Sequence, residues 1–187
     1  ISDPPAWIVS KGNTLAELMG WSQFIALQVE YSLLQRTPER DLIPMARHYG
    51  MTVTPWAPLA GGALTGKYLR GGQGRVKPES NRRDDNSIRI TRVVMDIAER
   101  LGIEPSHVAL QWTRQQAFEC IPIVGATKLE QLHENLRTVE VVLSQEHLKR
   151  LDEASAIDLG FPGKFFREEG VRQNNFGGFY DRIIKRP

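Results

Sequence analysis

One cysteine, Cys120, stands in 187 residues, so an internal disulfide framework is excluded and a reducing, cytoplasmic setting is the expectation. Long apolar runs are missing too. Nothing approaches the roughly 20 residues that span a bilayer, and no secretory leader pattern opens the chain, so no membrane partner is expected. Charge of one sign is also lacking: 24 Lys and Arg stand against 22 Asp and Glu, a net of +2 that gives no argument for nucleic acid. Basic residues do cluster between Lys67 and Arg92, but without the interleaved aromatics on which bases stack. No metal site is expected. What remains, 41% hydrophobic and 25% charged residues, is ordinary for a globular chain long enough to bury one substantial core.

The pattern along the chain alternates. Ile1 and Ser2 read as the last residues of a strand, with Pro4 and Pro5 suiting a turn and a first helical position. Helix follows over Ala6–Lys11 and again over Leu15–Met19. Phe24–Tyr31 reads as a buried strand, with Gln28 and Glu30 as polar intrusions. Thr37-Pro38 opens a helix to about Tyr49, closed by Gly50, and Met51–Trp56 is the next strand. Arg70–Ser87 is polar and aperiodic, long enough to be a functional lid or a mobile loop. Ile88–Leu101 carries a helical stripe ended by Gly102, and Pro105-Ser106 opens a further helix. Cys120–Val124 is a β-run broken by Pro122. Thr127, with Glu130 three residues on, is placed as the N-cap of a helix to about Val139, and Ser144–Ala154 is another helix. The tail from 158 to 187 reads as an ordered surface loop. Strand-then-helix repeated about four times predicts an α/β fold with a parallel sheet. Polar groups at the strand ends (Ser2, Gln28, Trp56, Gly125) favour a piece of a β/α barrel over a doubly wound sheet.

Three motifs carry chemistry. In Pro55–Tyr68, two prolines interrupt pairing and three glycines with Lys67 suit an anion, most often phosphate. Gly61–Lys67 even spells a P-loop up to its last letter. Tyr68 stands where Ser or Thr must reach Mg²⁺, and no helix is expected to begin at Lys67, so a triphosphate loop is disfavoured. Thr127, Gln131, Glu134 and Asn135 share the first half of one helix behind Gly125, where free N–H groups and the helix dipole attract phosphate. A plain capping pair accounts for Thr127 and Glu130 as well. Gln28 is either a backbone-satisfied buried amide or a ligand, and Trp56 either core or a stacking platform.

QVEYSLL (Gln28–Leu34), PWAPLAGGALTGKY (Pro55–Tyr68) and VGATKLEQLHENL (Val124–Leu136), together with GFPGKFF near the C-terminus, resemble the aldo-keto reductases. The likeness is nearest the branch of bacterial general-stress reductases and potassium-channel β subunits. It implies an eight-stranded (β/α)8 barrel that reduces small-molecule aldehydes and ketones with NADP(H), of which residues 1–187 match the second half, strands five to eight with the C-terminal tail. In that likeness Ser2, Asp3 and Gln28 hold the nicotinamide carboxamide, although Asp3 replaces an Asn and can only accept when ionised. Trp56 stacks on the nicotinamide. Ala57, Pro58, Leu59, Ala60, Gly61, Gly66 and Lys67 form the pyrophosphate loop. Gly125, Thr127, Gln131, Glu134 and Asn135 take the adenosine 2′-phosphate and adenine, with Gln131 standing where many members carry Arg. Arg75, Lys77 and Arg82 read as a solvated lid or as clamps on that phosphate.

The family's catalytic Asp, Tyr, Lys and His lie on the first four strands, and no catalytic residue is assigned here; His48 and Tyr49 match no tetrad motif. Four strands leave open edges and cannot close a barrel, so a preceding barrel half is expected as a partner. Glu30 is expected to pair with a cation on that half. A nucleotide-sensing regulatory subunit, or an inactive fragment, is the rival to the enzyme.

Overall fold

Two parallel strands form the regular sheet, β1 (Ala26–Glu30) and β2 (Thr52–Trp56), with Gln28 in register with Thr54. Two further segments extend it without reaching strand length. Residues 1–3 run parallel to β1: Asp3 N–H donates to the Gln28 carbonyl at 2.9 Å, and Gln28 N–H to the Ile1 carbonyl at 2.8 Å. On the far side, the N–H groups of Ile121 and Ile123 donate to Val53 and Pro55 of β2 at 2.9 and 2.8 Å. The computed structural model, which describes residues 1–183, thus lines up four parallel segments in chain order. The expected β-run at Cys120–Val124 is extended backbone bonded along one side only. Pro122, with no N–H to give, alternates away from β2 toward the free edge, the one sheet position where proline costs nothing.

Side chains alternate across β1 and β2. Leu27, Val29 and Val53 are buried under the helices, while Gln28 is exposed on the opposite face. The expectation of a fully buried strand over Phe24–Tyr31 is therefore corrected: only one face is covered, and Gln28 is not a buried amide.

Six helices follow the sheet segments: α1 (Ala6–Met19), α2 (Leu42–His48), α3 (Asp85–Leu101), α4 (Pro105–Arg114), α5 (Leu129–Arg137) and α6 (Gln145–Ala154). The two stretches expected before Met19 are one helix. Asn13 gives its side chain to the entry of β1, donating to the Phe24 carbonyl and accepting from the Phe24 N–H at 2.9 Å, so the polar interruption in the sequence is a tie and not a break. The helix expected over Thr37–Tyr49 divides into a 3-10 turn, Thr37–Arg40, and α2, because Asp41 leaves helical geometry to accept from the Leu42 N–H. Helix α3 starts three residues before Ile88, where Asp84 caps it through the Ser87 N–H.

The core gathers Leu27, Val53, Leu64, Ile97, Trp112 and Leu151. Tyr31 stacks on Trp112 at 5.3 Å and donates to Glu39 at 2.8 Å; burial first, then the Glu39 charge, push its hydroxyl far above the usual range. Arg36 lies over the same Trp112 ring, pairs with Glu39 and reaches the Asp152 carbonyl and Ser155 hydroxyl, fastening the end of β1 to α6. The tail differs from expectation. It holds α7 (Gly163–Arg167), α8 (Glu169–Phe176) and a 3-10 turn at Tyr180–Arg182, with Gly177 at φ 53 stopping α8. Residues 184–187 of that expected loop lie outside the described residues. Among the described residues no helix is long and apolar enough to cross a membrane.

Candidate functional site

A cleft of about 1160 Å³ opens beside the C-terminal end of β2, larger than the ~300–1,000 Å³ of sites for drug-sized ligands. Besides Glu104 and Ser106 at the start of α4, three stretches of the sequence line it. The first is the loop leaving β2, through Ala57, Pro58, Leu59, Gly61, Gly62, Thr65 and Lys67; the second is the connection to α3, through Arg75, Val76, Lys77 and Arg82; the third is Gly125 with Gln131, Glu134 and Asn135 of α5.

The loop owes its shape to a run of left-handed residues. Ala57 and Ala60 have φ of 50°, a conformation alanine avoids, and Gly61, Gly62 and Gly66 lie at 67°, 90° and 73°. Glycine is needed at Gly61 for a second reason: a Cβ there would stand 2.7 Å from the Val76 side chain. Val76 is thereby drawn down onto the loop, and its N–H donates to the Tyr68 hydroxyl at 3.1 Å, which itself donates to the Gly61 carbonyl. Tyr68, the residue that spoils the P-loop pattern, is the post that holds the connection in place. Turns, not a helix, follow Lys67, in agreement with the rejection of a triphosphate loop. The Lys67 ammonium sits 4.8 Å above the Tyr68 ring and its stem packs against Gly62.

The connection 70–87 is thus neither periodic nor loose. Val76 is buried, and Arg82 pairs directly with Glu30 at the end of β1. This corrects the expectation that Glu30 awaits a cation from elsewhere: its partner is in this chain, 52 residues on.

Ser2, Asp3, Gln28 and Trp56 do not line the cleft; they form a cluster at the strand ends next to Ala57. Trp56 Nε1–H donates to both Asp3 carboxylate oxygens at 3.2 and 3.1 Å, and the Ser2 hydroxyl donates to Asp3 Oδ2 at 2.8 Å. Asp3 therefore uses its carboxylate to fix Trp56 and not to cap α1, whose N-cap, Pro5, has no side-chain bond. Ala60 and Gly66 lie under the loop, Ala60 buried and Gly66 against Met95.

Thr127 is displaced from its expected place. Helix α5 begins at Leu129 behind Lys128, so Thr127 is not the N-cap; its N–H and hydroxyl both donate to Gln131 Oε1, at 3.0 and 3.2 Å. Gln131 completes the turn that Thr127 was expected to cap. Glu104 and Ser106, which no sequence motif singles out, line the cleft from the start of α4, and the next residue, His107, is buried. Pro105-Ser106 announces a helix start, and nothing in the local pattern says that it faces a cleft.

The aldo/keto reductase family model matches residues 1–156. The chain is 32% identical over 176 residues to the probable aryl-alcohol dehydrogenase AAD4 of Saccharomyces cerevisiae, covering 90% of this chain and 54% of the relative. It is 31% identical to the aryl-alcohol dehydrogenase [NADP(+)] of Phanerodontia chrysosporium, over 89% of this chain and 46% of the relative. With the norsolorinic acid reductase of Aspergillus flavus the identity is 30%, over 90% and 42%. The chain spans about half the length of the curated relatives it matches.

Proposed function

The chain belongs to the aldo/keto reductase family, and from that premise we propose that it supplies the cofactor-binding half of a (β/α)8 barrel that reduces aldehydes and ketones with NADP(H). The observation that carries the proposal is the meeting of the Ala57–Lys67 loop, the basic connection and the polar start of α5 around one cleft. The donor set suits a dinucleotide: Lys67, Arg75 and Lys77 bring positive charge to one side, where Arg82 is held by Glu30, and α5 brings neutral and acidic hydrogen-bonding groups to the other.

When bound, NADP(H) supplies a hydride to a carbonyl carbon. The residues here bind and orient. Lys67 and the backbone of Ala57–Gly61 and Gly66 hold the pyrophosphate, while Gly125, Thr127, Gln131, Glu134 and Asn135 hold the adenosine end. Trp56, its indole fixed by Asp3, presents a flat face to the nicotinamide, and Ser2 and Gln28 reach its carboxamide. A proton for the reduced oxygen comes from the barrel half that would precede this one.

Exposed apolar side chains support that half. On α1, Trp7 and Leu18 are 68% and 78% exposed, and on α5, Leu129 and Leu136 are 63% and 55% exposed. In chain order α1 follows the first sheet segment and α5 the last, and a partner half that closes the barrel would cover them. The test is NADPH consumption by the full-length protein with a panel of aromatic aldehydes. Consumption that depends on the aldehyde is expected; tight NADPH binding without turnover on any carbonyl would overturn the reductase reading.

A further inference from the structure

His107 is 6% exposed, yet its Nδ1 finds no hydrogen-bond partner among the described residues. Its Nε2 faces two oxygens of one residue, the Glu134 carbonyl at 2.7 Å and Glu134 Oε1 at 2.8 Å. Both are acceptors, so Nε2 carries the hydrogen. A buried ring with one nitrogen unsatisfied is costly, and packing alone would be better served by an apolar side chain. The polar work of this ring is done by Nε2.

We propose that His107 is a positioning residue for the adenosine end of the cofactor, acting by holding the Glu134 carboxylate in the cleft. The proposal rests on the reading of the cleft as a dinucleotide site. Glu134 lines the cleft with its side chain about one-third exposed (34%), and Arg137, its one further ion-pair neighbour among the described residues, stands 3.9 Å away and is itself exposed. Without His107 the carboxylate is free to turn into solvent. With it, the second carboxylate oxygen is held ready for a donor such as the exocyclic amine of adenine, and the side-chain ordering is done before the ligand arrives. The same contact occupies a carbonyl in the last turn of α5, where the Thr138 N–H goes instead to Asn135 and Leu136. Helices α4 and α5 are thereby tied at the cleft wall.

The experiment measures dissociation of adenosine 5′-monophosphate and of reduced nicotinamide mononucleotide from the full-length protein. His107→Leu and Glu134→Ala should each weaken the adenosine ligand about tenfold, the double variant no further, with the nicotinamide ligand unchanged in all three. His107→Gln, which can donate from a similar reach, should recover most of the loss. The proposal is overturned if His107→Leu binds the adenosine ligand like the parent, if the two losses multiply, or if both ligands weaken together, as a structural role predicts. Should His107→Leu not fold, Glu134→Ala and His107→Gln carry the test, and parent-like adenosine binding by Glu134→Ala sinks it. A parent protein that binds NADPH while His107→Leu is unaffected removes this inference alone; a parent that binds no NADPH removes the dinucleotide reading and this inference with it.

Discussion

Arg82, in the connection between β2 and α3, pairs directly with Glu30 at the C-terminal end of β1, and both side chains are less than one-third exposed. The pair pins the connection beside the Ala57–Lys67 loop, with Val76 as a second anchor. Arg82→Ala should free that side of the cleft and raise the rate of NADPH release about fivefold, within the range of a partly buried pair. Stopped-flow displacement would read it, and an unchanged release rate would show that Val76 alone holds the connection.

Gly66 and Gly71 separate two costs of a side chain. Both have positive φ, 73° and 78°, but a Cβ on Gly66 would stand 2.5 Å from Met95 Sδ, while Gly71 has nothing within 4 Å. Gly71→Ala should cost about 1 kcal/mol of backbone strain, and Gly66→Ala about 1–3 kcal/mol more from overpacking. Urea unfolding of the two variants compares them directly; equal losses would mean Met95 moves aside freely.

Arg36 is held on several sides, by Glu39, the Asp152 carbonyl, Ser155 and the Trp112 face. Arg36→Met leaves Glu39 beside the Tyr31 hydroxyl without its cation, and a loss of about 3 kcal/mol is expected. Arg36→Lys should recover little of it, because one ammonium cannot replace a planar fork that bonds in several directions. Recovery close to the parent in thermal or chemical unfolding would contradict this account of the tie between β1 and α6.

Cys120 is buried, and burial pushes its thiol up to about 12. An acid raised in the folded state stays protonated there after the unfolded thiol has ionised. Stability from this group is therefore undiminished below the unfolded value of about 8.5 and falls as pH rises above it. Alkylation at pH 8 should be far slower in the folded protein than in urea. Equal rates would show that the thiol is open to solvent.

The loop was the part of the site most legible in the sequence, since glycines, prolines and a lysine after a β-run restrict what a backbone can do locally. The alternation of strand and helix was equally plain. Contacts between residues distant in sequence were not. Glu30 announces a charged partner but cannot name Arg82, and Asp3 could have capped a helix or, as it does, fixed Trp56. Thr127 and Glu130 have capping-box spacing, yet Gln131 wins the Thr127 donors because its amide oxygen reaches both. The exposure of Gln28 is not legible because a strand covered on one face and one covered on both differ little over five residues. The tail hides two short helices, α7 and α8, whose glycines and phenylalanines give no period.

The central claim, that this cleft holds NADP(H), is tested most directly by titrating the full-length protein and its Lys67→Met variant with NADPH and following tryptophan fluorescence. Saturable quenching by the parent, with affinity about tenfold weaker in Lys67→Met, is the predicted result. No saturable binding by the parent, or identical binding by the two proteins, would contradict it.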